Sequence, residues 1–462
     1  MSNNKFTKEH SMSFSRSLFT ESGRVVRIGI PIVIAQLLNI SMGFVDTVMT
    51  GNYSAEALAA VSSSHHLVMP LLMFVAAVIS AAQAITAQYS GTGRKKPDIG
   101  KVTAHGLLIG LCFSAFIIIY TRIAPLFLPF FGFDAPVIVL AADYLHVFGW
   151  GLPGTIIFIS FASFYAGISR PLITMMVSFI MLAMNIIGNY TLIYGHFGFP
   201  ELGAVGAGWA STLSAWSGAL AILMITFLHK EFREYIPGRQ VFRLYSYLLR
   251  HILKIGLPSG LSIVFEASMF AVFSLLMGRF GVTILAGSQI ALNCASITFM
   301  IPLGLSFAIT TNVAVYIGQE KYRAARLAGI AGYAVSICCS VFSATVLILF
   351  NHQIAAVYTN DTQVIAITAS LLVFAGIFQL SDGLQVSGMG ILKGYKDTRI
   401  PMISNLVSYW GVGMTLGYGL GFILDYGAQG MWVGIIIGLS VAAVLHGLRF
   451  KRVAHYWIQR QN

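Results

Sequence analysis

The sequence predicts an all-α polytopic membrane protein, with twelve transmembrane helices in two pseudo-symmetric six-helix bundles. Three observations carry that prediction. Hydrophobic residues make up 57% of the 462-residue chain and charged residues only 10%, against about 25% charge in ordinary soluble domains. The apolar residues come in twelve runs, each long enough for the ~20 helical residues that cross a hydrocarbon core. The second half of the chain repeats the first.

In order, the runs cover 25–49, 59–84, 103–124, 136–160, 171–194, 204–228, 253–277, 285–312, 327–350, 363–389, 400–421 and 429–448. Strands of a membrane β-barrel would be about half as long and alternate in polarity, and these runs do neither. The first run has no small-residue cleavage site, so it reads as a retained span rather than a signal peptide. Before it, residues 1–24 are polar and basic with scattered Phe14, Leu18 and Phe19. They read as a mainly mobile cytoplasmic tail with a weak signal for a short interfacial helix. The 46 glycines suit helices that pack closely in lipid. Pro31, Pro258 and Pro302 are candidates for helix irregularity.

The loops set the orientation. With both termini cytoplasmic, 26 of the 28 basic residues fall on the inner side, and only Arg122 and Arg279 fall at outer ends. That asymmetry is the positive-inside pattern. It accounts for the formal charge of +12 without nucleic acid, for which no basic helix or zinc motif is present. Cys112, Cys294, Cys338 and Cys339 lie inside apolar runs and read as small buried hydrophobes. Trp150, Tyr194, Tyr418, Trp432 and Trp457 lie near span ends and read as an interfacial aromatic belt.

The doubling shows at a shift of 227 residues. VVRIGIP (25–31) falls on ILKIGLP (252–258), Gly91 on Gly318, Val137 on Val364, Gly149 on Gly376 and Gly167 on Gly394. Toward the end the offset becomes 224. A constant offset across several spans marks an internal repeat. An even number of spans per repeat relates the halves by an axis along the membrane normal. The predicted organisation is a tail (1–24), an N-lobe (25–228), a basic cytoplasmic linker (229–252), a C-lobe (253–450) and a cytoplasmic tail (451–462).

Ionisable residues inside spans are costly in lipid and mark function. Glu266 sits in the seventh run, Asp382 in the tenth and Asp46 near the outer end of the first. A bound cation favours a charged carboxylate and burial disfavours it, so such an acid can act as an ion or proton switch. Gln379, Asp382 and Gln385 share a helix face. Asn185 and Asn189 form a second inward polar face, and Gln289 and Asn293 a third. Either asparagine-bearing pair could be hydrogen-bonding glue between helices, or Asn293 could join Glu266 and Asp382 around a hard cation that wants oxygen ligands. By the repeat offset, Glu266 falls opposite Asn39 and Asp46 opposite Phe273. The two halves are chemically unequal.

Two loop motifs stay structural. SGTGRKK (90–96) lacks the spacing and ending of a phosphate-binding loop, and GILKGYKDT (390–398) is a loop signature. No HExxH, GxSxG or other catalytic constellation is present, so an enzyme is not expected and no cofactor is implied. No filter-like repeated loop points to a channel.

IGIPIVIAQ with MGFVDTVMTG, YGHFGFPELGAVGAG, GLPSGLSIVFEASMFAV, QIALN with FMIPLGLS, SDGLQV and GILKGYKDTRIP together resemble the multidrug and toxic compound extrusion family, in its bacterial NorM-like branch. The resemblance covers about 22–450. It implies a bacterial inner-membrane antiporter, acting as a monomer, that exports cationic amphipathic drugs or dyes in exchange for Na+ or H+. It implies a cation site at Glu266 and Asp382, with Gln289 and Asn293 beside it. Asp46, with Asn185 and Asn189, would serve proton- or substrate-linked steps, and Phe378, Gln379 and Gln385 would line the substrate cavity. The sequence departs from relatives at Phe378, where tyrosine is common, at Ala166, where an acid is common, and at Ser288, where histidine is common. Sodium is the leading coupling ion and the proton the alternative. A flippase for lipid-linked intermediates would want a basic cavity, whereas here the spans carry acids.

Overall fold

In the computed structural model the described residues are 3–460 apart from 237 and 239–242, with side chains described from Arg16 onward. Lys5, Lys8, Phe14 and Arg239, which entered the charge and tail readings, have side chains outside that set.

Every regular element among the described residues is helical. The helices are α1 (Asn3–Tyr53), α2 (Ala55–Ile79), α3 (Ala81–Gly91), α4 (Lys96–Ile123), α5 (Ala135–Gly149), α6 (Leu152–Gly167), α7 (Leu172–Tyr194), α8 (Gly203–Leu228) and the short α9 (Lys230–Arg233). The second half brings α10 (Ser246–Met277), α11 (Val282–Gly318), α12 (Tyr322–Leu349), α13 (Asn351–Tyr358), α14 (Thr362–Gly394), α15 (Arg399–Leu406), α16 (Thr415–Tyr418) and α17 (Gly427–Gln459). Two π-helical stretches, Val407–Met414 and Gly419–Ile423, flank α16. The chain begins its first helix at Asn3, so the polar opening stretch runs directly into the first span.

Eleven of these helical segments are long and apolar enough to span a membrane, and a twelfth is the pair α5–α6, bent by 47°. The sequence explains the bend. Pro153 has no N–H to donate to the preceding turn, and Gly149 and Gly151 flank Trp150 in the break. Side chains of α8 take up carbonyls there: Thr212 Oγ1 donates to Val147 O (3.0 Å) and Trp216 Nε1 to Trp150 O (2.9 Å). That is how broken backbone survives at membrane depth. Side-chain caps close two other ends. Ser54 accepts from Ala57 N at the start of α2, and Asp361 accepts from Gln363 N and Val364 N at the start of α14.

The chain divides into two compact units, residues 34–260 and residues 1–33 with 261–462. The boundary therefore falls inside α1 and inside α10, at positions 227 residues apart, each two residues beyond a proline (Pro31, Pro258). In the unit of residues 34–260, α7 packs on α8, and α2, α4, α5 and α6 close around them. Its cores join Tyr144, Ile156 and Ile193, and separately Phe161, Tyr165 and Met181. The start of α10 belongs here: Leu248, Ile252 and Ile255 pack with Val78 and Ile85. Its approach is fixed by Tyr245, whose N–H donates to His105 Nε2 at 2.8 Å. In the other unit α14 lies between α11, α12 and α17. Its main core joins Phe273, Phe378, Tyr409 and Trp432. Trp432 is fully buried against Phe273 and Phe378, so it is a core residue and not part of the interfacial belt. Trp150 and Tyr418 are exposed.

The doubling extends to packing detail. A Cβ on Gly29 would meet Leu305 within one unit. A Cβ on Gly256 would meet Val78 within the other, at 2.6 Å from its carbonyl oxygen. Both members of the pair are displaced by 227 residues. Large apolar side chains remain exposed around both units, among them Phe116, Ile119, Leu220, Met224, Leu275 and Val444. So much exposed apolar surface suits lipid and not water.

Candidate functional site

Each unit holds buried acid without a basic partner. The ion pairs among the described residues all lie elsewhere, at Glu21, Asp98, Glu231, Glu234 and Asp397.

In residues 34–260 the acid is Asp46, 3% exposed. Asn185 and Asn189, one turn apart on α7, both donate to Oδ1, at 2.9 and 2.6 Å. Ser211 on α8 donates to Oδ2 at 2.9 Å. The structure thus brings together the three residues that the sequence singled out in this half. The i, i+4 spacing of the asparagines aims both amides at one carboxylate oxygen. Three donors supply the solvation that a buried carboxylate loses. Asn189 Oδ1 is left without a partner. Behind this shell, Tyr144 on α5 is fully buried. Its hydroxyl shares a 2.7 Å hydrogen bond with His65 Nε2 on α2. Ser211, Tyr144 and His65 were not singled out from the sequence. Ser211 and His65 stand among other polar residues of their helices, Thr212 and Ser214 on α8 and Ser62, Ser63, Ser64 and His66 on α2, and nothing in the spacing sets them apart.

In the other unit Glu266 on α10 is partly buried and Asp382 on α14 is 1% exposed. The two lie close enough for each to act on the other's charge, and Tyr409 lies beside both. The Tyr409 hydroxyl comes within reach of Glu266 without completing a well-aligned hydrogen bond. It stands on the first π-helical stretch, where the wider turn changes which side chains point inward. Asp382 Oδ1 has no hydrogen-bond partner. Gln385 Nε2 and Asn405 Nδ2 both turn to Met389 Sδ, at 3.1 and 3.3 Å. Their carbonyl oxygens, Gln385 Oε1 and Asn405 Oδ1, are buried and unpartnered. Buried polar atoms normally find a partner, and this unit leaves both kinds unpaired: these oxygens, and the donors of Tyr409, Ser387, Ser408 and Trp432.

Other expectations for this half need correction. Gln289 and Asn293 are exposed, and Asn293 Oδ1 accepts from Tyr358 at 2.9 Å. Among the described residues neither is hydrogen-bonded to Glu266 or Asp382. The i, i+4 pattern gives them one face, and that face is exposed. Phe378, Gln379 and Gln385 have 3%, 1% and no exposure, so none presents a surface to a substrate cavity. Phe378 packs edge-on against Phe270 and Trp432. Gln379 Nε2 donates to Ala295 O at 3.1 Å and to Thr298, tying α14 to α11. Ser288 and Ala166 are buried. No group of three or more His, Cys, Asp or Glu residues that could hold a metal forms among the described residues.

The MatE family model matches the chain twice, over residues 31–191 and 258–419, which is the internal repeat. A "Probable multidrug resistance protein NorM" of Shewanella oneidensis is 34% identical over 437 residues, covering 94% of this chain and 95% of that protein. One of the same name from Xanthomonas campestris pv. campestris is 37% identical over 433 residues, covering 92% and 93%. Among solved structures, a MATE in the bent conformation superposes with a TM-score of 0.88 at 20% identity, over 97% of this chain and 99% of that one. The eukaryotic MATE transporter AtDTX14 gives 0.85 at 20% identity, over 96% and 100%. With both halves matched by one family model and near-full-length relatives above 30% identity, the chain belongs to the MatE family, as a polytopic membrane transporter of the NorM type and not an enzyme.

Proposed function

We propose that the protein is a secondary active multidrug antiporter that exports cationic amphipathic compounds in exchange for Na+, by alternating access. The observation that carries the choice of ion is the buried Asp382 carboxylate, close to Glu266. One of its oxygens is unpartnered, and the carbonyl oxygens of Gln385 and Asn405 on the same and a neighbouring helix are unpartnered too. A small hard cation is the species that wants several oxygens and offers no proton. Its charge would also offset the repulsion between two acids with no basic partner. Cation entry stabilises one access state and cation release the other. A drug that prefers the second state is thereby exchanged for the ion.

The second reading is a proton shared by the same two acids. It is favoured by their mutual proximity and by the nearby Tyr409 hydroxyl. The spans offer acids and the basic residues sit in loops, which supports cationic cargo over a phosphate-bearing lipid. The basic loops and the bacterial relatives support a bacterial inner-membrane location with both termini cytoplasmic.

The test is dye efflux from liposomes holding the purified protein, with sodium and pH gradients imposed separately. Efflux is expected to follow the sodium gradient at equal pH. Efflux that is indifferent to sodium and follows the pH gradient would establish the second reading instead.

A further inference from the structure

The short α9 is pinned to the unit of residues 34–260. Phe232 is buried edge-on against Tyr165, with 5.1 Å between ring centres. Arg170 donates to Glu231 at 3.0 Å and Lys96 to Glu234 at 2.7 Å, and Lys96 also lies over the Tyr235 ring. These contacts use the aromatic and acidic residues of the segment and leave its two bases over. Lys230 and Arg233 are exposed, and neither has an ion-pair partner among the described residues.

Beside this segment is a cavity of about 170 Å³. It is lined by Thr103 and Leu107 of α4, Phe161 of α6, Leu223 and Phe227 of α8, and Ile236 just past α9. Phe227 is 41% exposed, so the cavity reaches the protein surface. Every lining side chain is apolar except Thr103, whose buried hydroxyl has no hydrogen-bond partner. Thr103 stands seven residues into α4 from Lys96, about 10 Å at helical rise. That is the depth at which headgroups give way to acyl chains. Lys230 follows Phe227 by three residues and Arg233 precedes Ile236 by three. Chain length alone keeps each base within about 11 Å of a lining residue.

We propose that this is a site for an anionic phospholipid of the leaflet next to the basic loops, with one acyl chain in the cavity and the phosphate on Lys230 and Arg233. The inference goes beyond the antiporter reading and holds for either coupling ion. A chain gains no hydrophobic energy by leaving a bilayer, so an apolar cavity alone would select nothing. What the cavity offers is contact, since a void forfeits dispersion attraction that a chain restores. Selection comes from the charges. Bases beside a membrane favour anionic lipid, and a phosphate accepts charge-assisted hydrogen bonds from both. The ester carbonyl between head and chain can accept from Thr103, the donor left over in the wall. A free phosphate would engage the bases and leave the cavity empty. A lipid seated in this way bridges α4, α6 and α8 to the linker that leads into α10.

The test uses the full chain in nanodiscs doped with phosphatidylglycerol carrying a photoactivatable diazirine near the head of one chain. Phosphatidylcholine with the same chain is the neutral control, and adducts are located by peptide mass spectrometry. The anionic probe is expected to label Leu107, Phe161 and Leu223 about 25-fold more than the neutral one, about fivefold for each of the two bases. K230Q combined with R233Q should bring the two probes level. It changes exposed side chains only, so it tests the site whether or not the next variant folds. A104F, at another lining residue, fills the cavity and should move the adducts off those three residues. Glycerol 3-phosphate, the head alone, should not displace the probe. Equal labelling by both probes in the wild type, as bulk boundary lipid would give, would overturn the site. So would an unchanged preference in the double variant, or displacement by glycerol 3-phosphate.

Discussion

Exchanging Asp382 for asparagine is expected to lower sodium-driven efflux by about a hundredfold, the upper range of coupling between two linked sites. The change keeps the side-chain volume and one carbonyl oxygen. It removes the charge that a cation would balance. Dye binding to the purified protein should survive, because the exchange acts on the ion and not on the cargo. E266Q should act in the same direction and by less, since Glu266 is partly exposed and water can stand in for a missing ligand. Sodium titrations of dye release, with circular dichroism as the check on folding, read both effects. Unaltered sodium dependence in both variants would remove the site from the mechanism.

The second large effect concerns stability. Gly413 and Gly417, on and just after the first π-helical stretch, lie against Gly434 and Gly438 of α17. A Cβ on Gly438 would stand 2.7 Å from Gly413 Cα, and one on Gly434 would overlap the Gly417 backbone. Backbone cannot swing aside as a side chain does. Small residues are what allow helices to approach this closely in lipid. G434A is therefore expected to destabilise the protein by about 3 kcal/mol, the upper end for overpacking. The loss should read as a lowered unfolding midpoint in detergent, followed by fluorescence of the buried Trp432. G447A, at an open position of the same helix, should leave the midpoint where it is. Equal midpoints for G434A and wild type would mean that α17 can slide past the π stretch.

Both effects come from places the sequence partly disclosed. The acids were legible because a lone carboxylate stands out in an apolar run, and the repeat was legible because punctuating residues kept a fixed spacing. The pairing of Asn185 and Asn189 with Asp46 was half legible. Helical spacing gives the common face of the asparagines, but only folding brings residues 139 and 143 positions away against it. His65, Tyr144 and Ser211 were silent because each depends wholly on long-range contact. Tyr409 was hidden for another reason. A face read at 3.6 residues per turn is misplaced where the helix widens to a π turn. The same period placed Gln379 and Gln385 with Asp382 correctly. It could not show that the stripe is sealed inside its unit, since burial depends on what α11 and α17 lay over it.

The unit boundaries inside α1 and α10 have a consequence for how the protein is held as one piece. Val25 of α1 packs with Leu305, Ile309 and Val313, while Ile252 and Ile255 of α10 pack with Val78 and Ala81. Each genetic half thus lends a length of its leading helix to the other half's fold, by the same contact made twice. Severing the polypeptide between α9 and α10 is therefore expected to leave the fragments clasped, each completing its counterpart; co-purification of two separately encoded polypeptides divided at that point is the measurement that checks it.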